Sequence, residues 1–273
     1  MTVHVDGKRI AHDIQEKLKR IVDQYDGSMI FHMVYVGSDK VIDNYLKYKE
    51  EFASCIGIRT HIHRFPADIS TEELEKEIHS IVLSNEAMII QLPLPSHINT
   101  QKILNMVPSH IDVDVLSEEG RELFSQGSNI FIPPVTASII EICSRYTISL
   151  SDLNIVLIGK GRLVGKPFSQ WLDYHHISYT IIDIDTQVEE RVKLLSSADM
   201  IVTGVGIPQL VLPHHVKDGV IIIDAGTSES NTTVVGDVHL DIAEKSSLFT
   251  PVPGGIGPIT IAKLYTNVVN FYV

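Results

Sequence analysis

The stretch NIVLIGKGRLVGKP, residues 154–167, runs from an apolar, β-branched segment through Gly159, Gly161 and Gly165 into an amphipathic segment. A strand that ends in glycine and reopens as a helix brings backbone N–H groups and a helix N-terminus close to a pyrophosphate. The spacing is GxGxxxG, one residue longer than the usual dinucleotide fingerprint, and a tight turn without a ligand fits it as well. Asp183, 24 residues after Gly159, ends the next apolar run, YTIIDI (179–184). An acid there is where a ribose is read, which favours a nucleotide site.

The same alternation extends both ways along the chain. MIVTGV (200–205) and VIIIDAG (220–226) follow as short β-branched runs bounded by polar residues or glycine. Upstream, MIFHMVYVG (29–37), an amphipathic stretch from Val41 to Ile56, RTHIHRF (59–65), the helix-like 70–84 and AMIIQL (87–92) repeat the pattern. This is an α/β chain of two domains with mostly parallel sheets, divided near 137–150 after a Gly-, Pro- and Ser-rich interval at 117–137. The last helix, Pro258 to Phe271, is expected to return to the first domain. The expected division is therefore 1–137 plus 258–273 against a Rossmann-like 138–257.

Composition narrows the function. The 273 residues carry 22 Lys plus Arg against 34 Asp plus Glu, a net charge of −12. That balance speaks against a nucleic-acid or anionic-membrane surface. The two cysteines, Cys55 and Cys143, make no disulfide framework, and the opening MTVHVDGKRIAHDI lacks the apolar core of a signal peptide. A cytoplasmic protein is expected. Its 13 histidines include no HExxH and no zinc-spaced Cys–His set, so no metal is expected.

Three further segments offer chemistry. Val41, Tyr45, Tyr48, Phe52 and Cys55 recur at helical spacing, which reads equally as a core stripe. Tyr45 and Lys49 stand one turn apart, where a phenol and an amine can converge on one substrate. QLPLPSHI (91–98) leaves a strand through Pro93 and Pro95, holding Gln91 at a carboxyl-terminal sheet edge. Asp112 and Asp114 follow in HIDVDVL (110–116), either as solvated loop acids or as acceptors for an amino-substituted ring. TPVPGGIGPIT (250–260) is a constrained loop that delivers a helix start, with Pro258 suited to its first turn.

These blocks, in this order from DGKRIA (6–11) to IGPITIAKLYTN (256–267), resemble the bifunctional methylenetetrahydrofolate dehydrogenase/methenyltetrahydrofolate cyclohydrolase (FolD) family. The resemblance implies an N-terminal folate-binding catalytic domain, a C-terminal Rossmann-like dinucleotide-binding domain, a tetrahydrofolate substrate and a homodimer. It implies Lys49 as the cyclohydrolase lysine, Tyr45 stacking on the pterin, Gln91 on the lysine and Asp114 on the ring. It also implies a nucleotide site around Gly159, Lys160, Gly161, Arg162, Gly165, Asp183, Asp185 and Thr227, with Pro93, Pro253, Gly254, Gly255 and Pro258 in the substrate loops.

Departures from the family pattern accompany the likeness. A family serine is Ile42, VDG is Val113-Asp114-Val115, and PCTP is Pro134-Val135-Thr136-Ala137. These suggest, as alternatives, a dehydrogenase with weakened cyclohydrolase or a non-catalytic folate-binding paralogue. At the nucleotide loop GRS becomes Gly159-Lys160-Gly161, and HSR becomes Asp183-Ile184-Asp185. Acids where an NADP 2′-phosphate would sit argue that NAD is accepted, against a family default of NADP.

Overall fold

Parallel pairing turns the short apolar runs into two separate sheets, each inside its own unit of the computed structural model, which describes residues 2–128, 130–230 and 233–273. One unit comprises Met1–Ala11 and Pro134–Thr260, the other His12–Pro133 and Ile261–Val273. In chain order, β1 (Val3–His4) and α1 (Gly7–Val22) come first. The second unit then continues through β2 (Ile30–Val36), α2 (Lys40–Ile56), β3 (Arg59–Phe65), α3 (Thr71–Val82), β4 (Ala87–Ile90), α4 (Thr100–Leu104) and α5 (Glu118–Ser125). Its sheet has the order β3-β2-β4, and β2 is buried on both faces, which is why its sequence reads as a nearly continuous apolar run interrupted by His32.

Local chemistry sets the helix ends in this unit. Asp39 caps α2 by accepting from the amides of Val41 and Ile42, and Gly57 ends the helix at a φ of 89°, open to glycine without strain. Ser70 and Glu73 form a reciprocal capping box on α3. Val34, Leu74, Ile78, Ile90 and Ile103 build the core between this sheet and its helices.

The remaining elements are α6 (Pro134–Arg145), β5 (Ile155–Ile158), α7 (Gly165–Tyr174), β6 (Tyr179–Ile182), α8 (Val188–Ser197), β7 (Met200–Thr203), β8 (Ile221–Asp224), β9 (Ser228–Ser230), β10 (Thr233–Val235), β11 (Leu248–Phe249) and α9 (Ile256–Tyr272). The larger sheet, β1-β11-β8-β7-β5-β6, is parallel throughout. Val156, Ile158, Ile201, Ile222 and Phe249 anchor its core. Among the described residues no helix is long and apolar enough to cross a membrane, and no group of three or more His, Cys, Asp or Glu side chains is placed to hold a metal ion.

The structure redraws several boundaries. Residues 1–11, expected with the first domain, group with 134–260 because β1 pairs with β11. The 117–137 interval contains α5, capped by the Ser117 side chain, and α6 begins at Pro134. The last helix starts at Ile256 instead of Pro258, and its stretch from Ile261 onward belongs to the unit that holds β2, β3 and β4. Ile201 lies at the centre of the larger sheet with no exposed surface. Ile201→Ala is expected to cost about 2–5 kcal/mol through the cavity it leaves, read as a lower urea midpoint at unchanged slope.

Candidate active site

In the β3-β2-β4 unit, α2 and the exit of β4 bring Lys49 and Gln91 together across 42 residues of sequence. Lys49 Nζ donates to Gln91 Oε1 at 2.8 Å. The glutamine is itself oriented, since its Nε2 donates to Leu92 O at 2.7 Å and its backbone N–H to Val34 O at 2.8 Å. The oxygen must therefore face the lysine. Lys49 is fixed from its other end as well: the Tyr265 hydroxyl, from α9, donates to Lys49 O at 2.7 Å. Tyr265 is fully buried, stacked on Phe52 and edge-on to Phe31, so the backbone of α2 has little freedom at this turn.

Electrostatics then tune the amine. Lys49 is half-buried as a residue, but its amine lies deep enough that desolvation holds it below the ordinary lysine value, while the Asp114 carboxylate pulls the other way. Burial raises the Asp114 carboxyl in turn, and the lysine opposes that rise. An amine in this setting loses its proton more readily than a surface lysine, which suits it to proton transfer. Tyr45 stands one turn before Lys49; burial first and Tyr48 second push its phenol up, so it remains a hydrogen-bond donor at neutral pH.

The neighbouring acids separate into two roles. Asp112 Oδ2 accepts from the amides of Leu116 at 2.9 Å and Ser117 at 2.8 Å, so it closes its own turn. Asp114, two residues on, interacts electrostatically with the lysine. Asn267 secures this loop by donating to Val113 O and Ile132 O, each at 2.8 Å. Pro93 is exposed at the exit of β4. Ile42 lies in the first turn of α2, half-buried.

In the other unit, Gly159 follows β5 at a φ of 78°, and a Cβ there would stand 2.4 Å from Val205 Cγ1. A Cβ on Gly165 would stand 1.9 Å from Gly159 O, so glycine alone allows the helix to start against the strand end. The N-cap of α7 is Val164, which supplies no side-chain acceptor. The Lys166 amide donates to Gly161 O at 3.0 Å and Pro167 carries no N–H, so an anion at the start of α7 would meet the Gly165 amide. Lys160 and Gly161 are exposed in the turn and Arg162 is half-buried.

Asp183 is exposed directly after β6, its Oδ1 accepting from Asp185 N and Thr186 Oγ1, both at 3.1 Å. Asp185 is exposed beside it, and exposed Thr227 follows β8. Pro253, Gly254 and Gly255 form the turn into α9, where Gly254 has a φ of 102° and its carbonyl accepts from Gly7 N at 3.0 Å, and Pro258 lies in the first turn of the helix. Sequence reasoning passed over Tyr265 and Asn267, both inside IGPITIAKLYTN. It also passed over Asp224 and Asp237, acids beside glycines in otherwise apolar surroundings, which was the available signal.

Two family models match the chain: tetrahydrofolate dehydrogenase/cyclohydrolase, catalytic domain, over residues 5–114, and its NAD(P)-binding domain over 133–273. The "Bifunctional protein FolD" of Nautilia profundicola is 35% identical, covering 99% of this chain and 96% of that protein. A crystal structure of the bifunctional FolD methylenetetrahydrofolate dehydrogenase/cyclohydrolase from Campylobacter jejuni superposes with a TM-score of 0.93 at 28% identity, covering 100% of this chain and 99% of that one. The Trypanosoma brucei dehydrogenase-cyclohydrolase, solved with NADP cofactor and inhibitor, gives 0.92 at 26% identity, covering 99% and 97%.

The Lys49 amine is expected to titrate below 10.5. Because the Asp114 charge favours the ammonium, Asp114→Asn should move it lower still. NMR of ε-labelled lysine checks both, and a downward shift absent in the variant would contradict the electrostatic assignment.

Proposed function

The chain belongs to the tetrahydrofolate dehydrogenase/cyclohydrolase family, and from that premise we propose how its residues divide the two reactions of a bifunctional enzyme. The first oxidises 5,10-methylenetetrahydrofolate to the 5,10-methenyl cation with a nicotinamide dinucleotide. The second hydrolyses that cation to 10-formyltetrahydrofolate. The observation that carries the reading is the oriented, desolvated Lys49–Gln91 pair beside Asp114.

Oxidation asks little of the side chains, since the nitrogen lone pairs of the substrate stabilise the cation left behind. When bound, the nicotinamide accepts the hydride. The protein's contribution is alignment. The close approach of Gly159 and Gly165, with the Gly165 amide at the start of α7, fits a pyrophosphate. Lys160, Gly161, Arg162 and Thr227 would surround it, and Pro253, Gly254, Gly255, Pro258 and Pro93 would shape the substrate loops.

Hydrolysis needs proton movement. Water adds to the methenyl carbon, forming a C–O bond and releasing one proton. Collapse of that adduct forms the formyl C=O and breaks the bond to N5, which takes up the hydroxyl proton. A Lys49 amine that is not held as ammonium can accept the proton from water and deliver one to N5, with Gln91 fixing its direction. Tyr45 would stack on the pterin, and Asp114 would accept from its amino-substituted ring.

For the cofactor we favour NAD. A phosphate about 4 Å from a carboxylate is repelled by about 4 kcal/mol at an effective dielectric of 20, and by less at exposed positions. Asp183 and Asp185 are both exposed, so the penalty is reduced but keeps its sign. By family resemblance the enzyme is a cytoplasmic homodimer.

Absorbance of the methenyl chromophore tests both halves: it should form from the methylene substrate with NAD, and decay without nucleotide. Wild-type protein inactive in both assays would overturn the reading. kcat/KM is expected to be higher with NAD than with NADP, and serine at both 183 and 185 should shift the ratio toward NADP by about tenfold, 1.4 kcal/mol. A wild-type kcat/KM about tenfold higher with NADP would refute the preference.

A further inference from the structure

Asp224 and Asp237, which the two reactions leave unused, are 1% and 0% exposed. The Asp237 carboxylate accepts from the Thr203 hydroxyl at 2.7 Å and from the amides of Val205 at 2.8 Å and Ile207 at 2.9 Å. The Asp224 carboxylate accepts from the amides of Gly226 at 2.9 Å, Asp237 at 3.1 Å and Val238 at 2.9 Å. The Asp224 amide donates to Thr250 Oγ1 at 2.7 Å, at the first residue of the TPVPGG loop. Four segments are thereby tied together: the exit of β7, the exit of β8, the Asp237-Val238 segment after β10 and the entrance to that loop.

The surrounding glycines are matched to these acids. A Cβ on Gly226 would lie 2.3 Å from Asp237 Oδ1, and one on Gly236 would lie 2.1 Å from Asp224 Oδ2. Burial, with the Asp237 charge adding, pushes the Asp224 carboxyl up to about 6 against the three amides that stabilise its charge. Stability alone does not call for this arrangement, because apolar side chains fill a core without the desolvation cost of buried acids. What two carboxylates add is direction, as each fixes where several backbone amides point.

The carboxyl ends of parallel strands are where open α/β sheets take their ligands. We propose that Asp224 and Asp237 are positioning residues for nucleotide binding, clamping the exits of β7 and β8 and the start of the TPVPGG loop in the conformation that receives the dinucleotide. The proposal rests on the dehydrogenase reading above. Nucleotide-free hydrolysis, assigned to Lys49 in the other unit, serves as the internal control.

The test uses Asp237→Asn, which turns one acceptor into a donor facing amides, and Gly226→Ala, which drives a methyl into the same carboxylate. Each should raise the Kd and KM for NAD by about tenfold or more, equivalent to about 1.4 kcal/mol, with hydrolysis within about twofold of wild type. Folded variants that bind NAD as wild type does, or that lose hydrolysis in step with binding, overturn the clamp. If neither variant folds, Thr203→Val decides, since it removes a single donor: a weaker but measurable rise in Kd supports the clamp and no rise overturns it. A wild type that binds NAD yet oxidises no folate refutes the dehydrogenase reading, and the clamp is then judged on Kd.

Discussion

The hydrogen bond from Lys49 Nζ to Gln91 Oε1, 2.8 Å long, is the contact on which the proposed hydrolysis depends. A lysine in water keeps its proton near neutral pH and cannot act as a base; one deep in protein gives it up more easily, provided its remaining polar contacts are satisfied. Gln91 satisfies one of those contacts without adding charge. Asp114 supplies a pull in the opposite direction. Position matters as much as charge, and it comes from the scaffold: Gln91 is set by its N–H to Val34 O in the sheet, and Lys49 by Tyr265 from α9.

The nucleotide-side unit solves a different problem with backbone. Its glycines allow strand, turn and helix to approach more closely than any Cβ would permit, and its buried acids orient amides where a basic partner would otherwise be expected. One unit thus uses burial to adjust a proton affinity, and the other uses it to hold loops. Asp112 belongs to the second strategy although it lies in the same unit as Lys49, since its carboxylate spends itself on the amides of Leu116 and Ser117.

Legibility followed the range of the interactions. Strands β5 to β8 were readable because each is a short apolar run between polar breaks, and α2 and α3 because cap and periodicity are local. β1 and β11 are two residues each and exist through pairing between the two ends of the chain, which no local pattern announces. α5 hid in a charged, glycine-containing segment whose helix signal is little more than the Ser117 cap. At the site, Tyr45 and Lys49 shared a helical spacing, but the partnership with Gln91 came only from family resemblance until the fold joined them. The difference between Asp112 and Asp114 was invisible, since both are loop acids until one turns toward its own backbone.

On the proposed function, Lys49 works by moving a proton and not by carrying a charge. Lys49→Arg separates the two, because a guanidinium keeps the charge and the donor to Gln91 but does not deprotonate. Nucleotide-free methenyl hydrolysis is expected to fall by about a hundredfold or more while NAD-dependent oxidation persists. Hydrolysis at the wild-type rate in the arginine variant would contradict it.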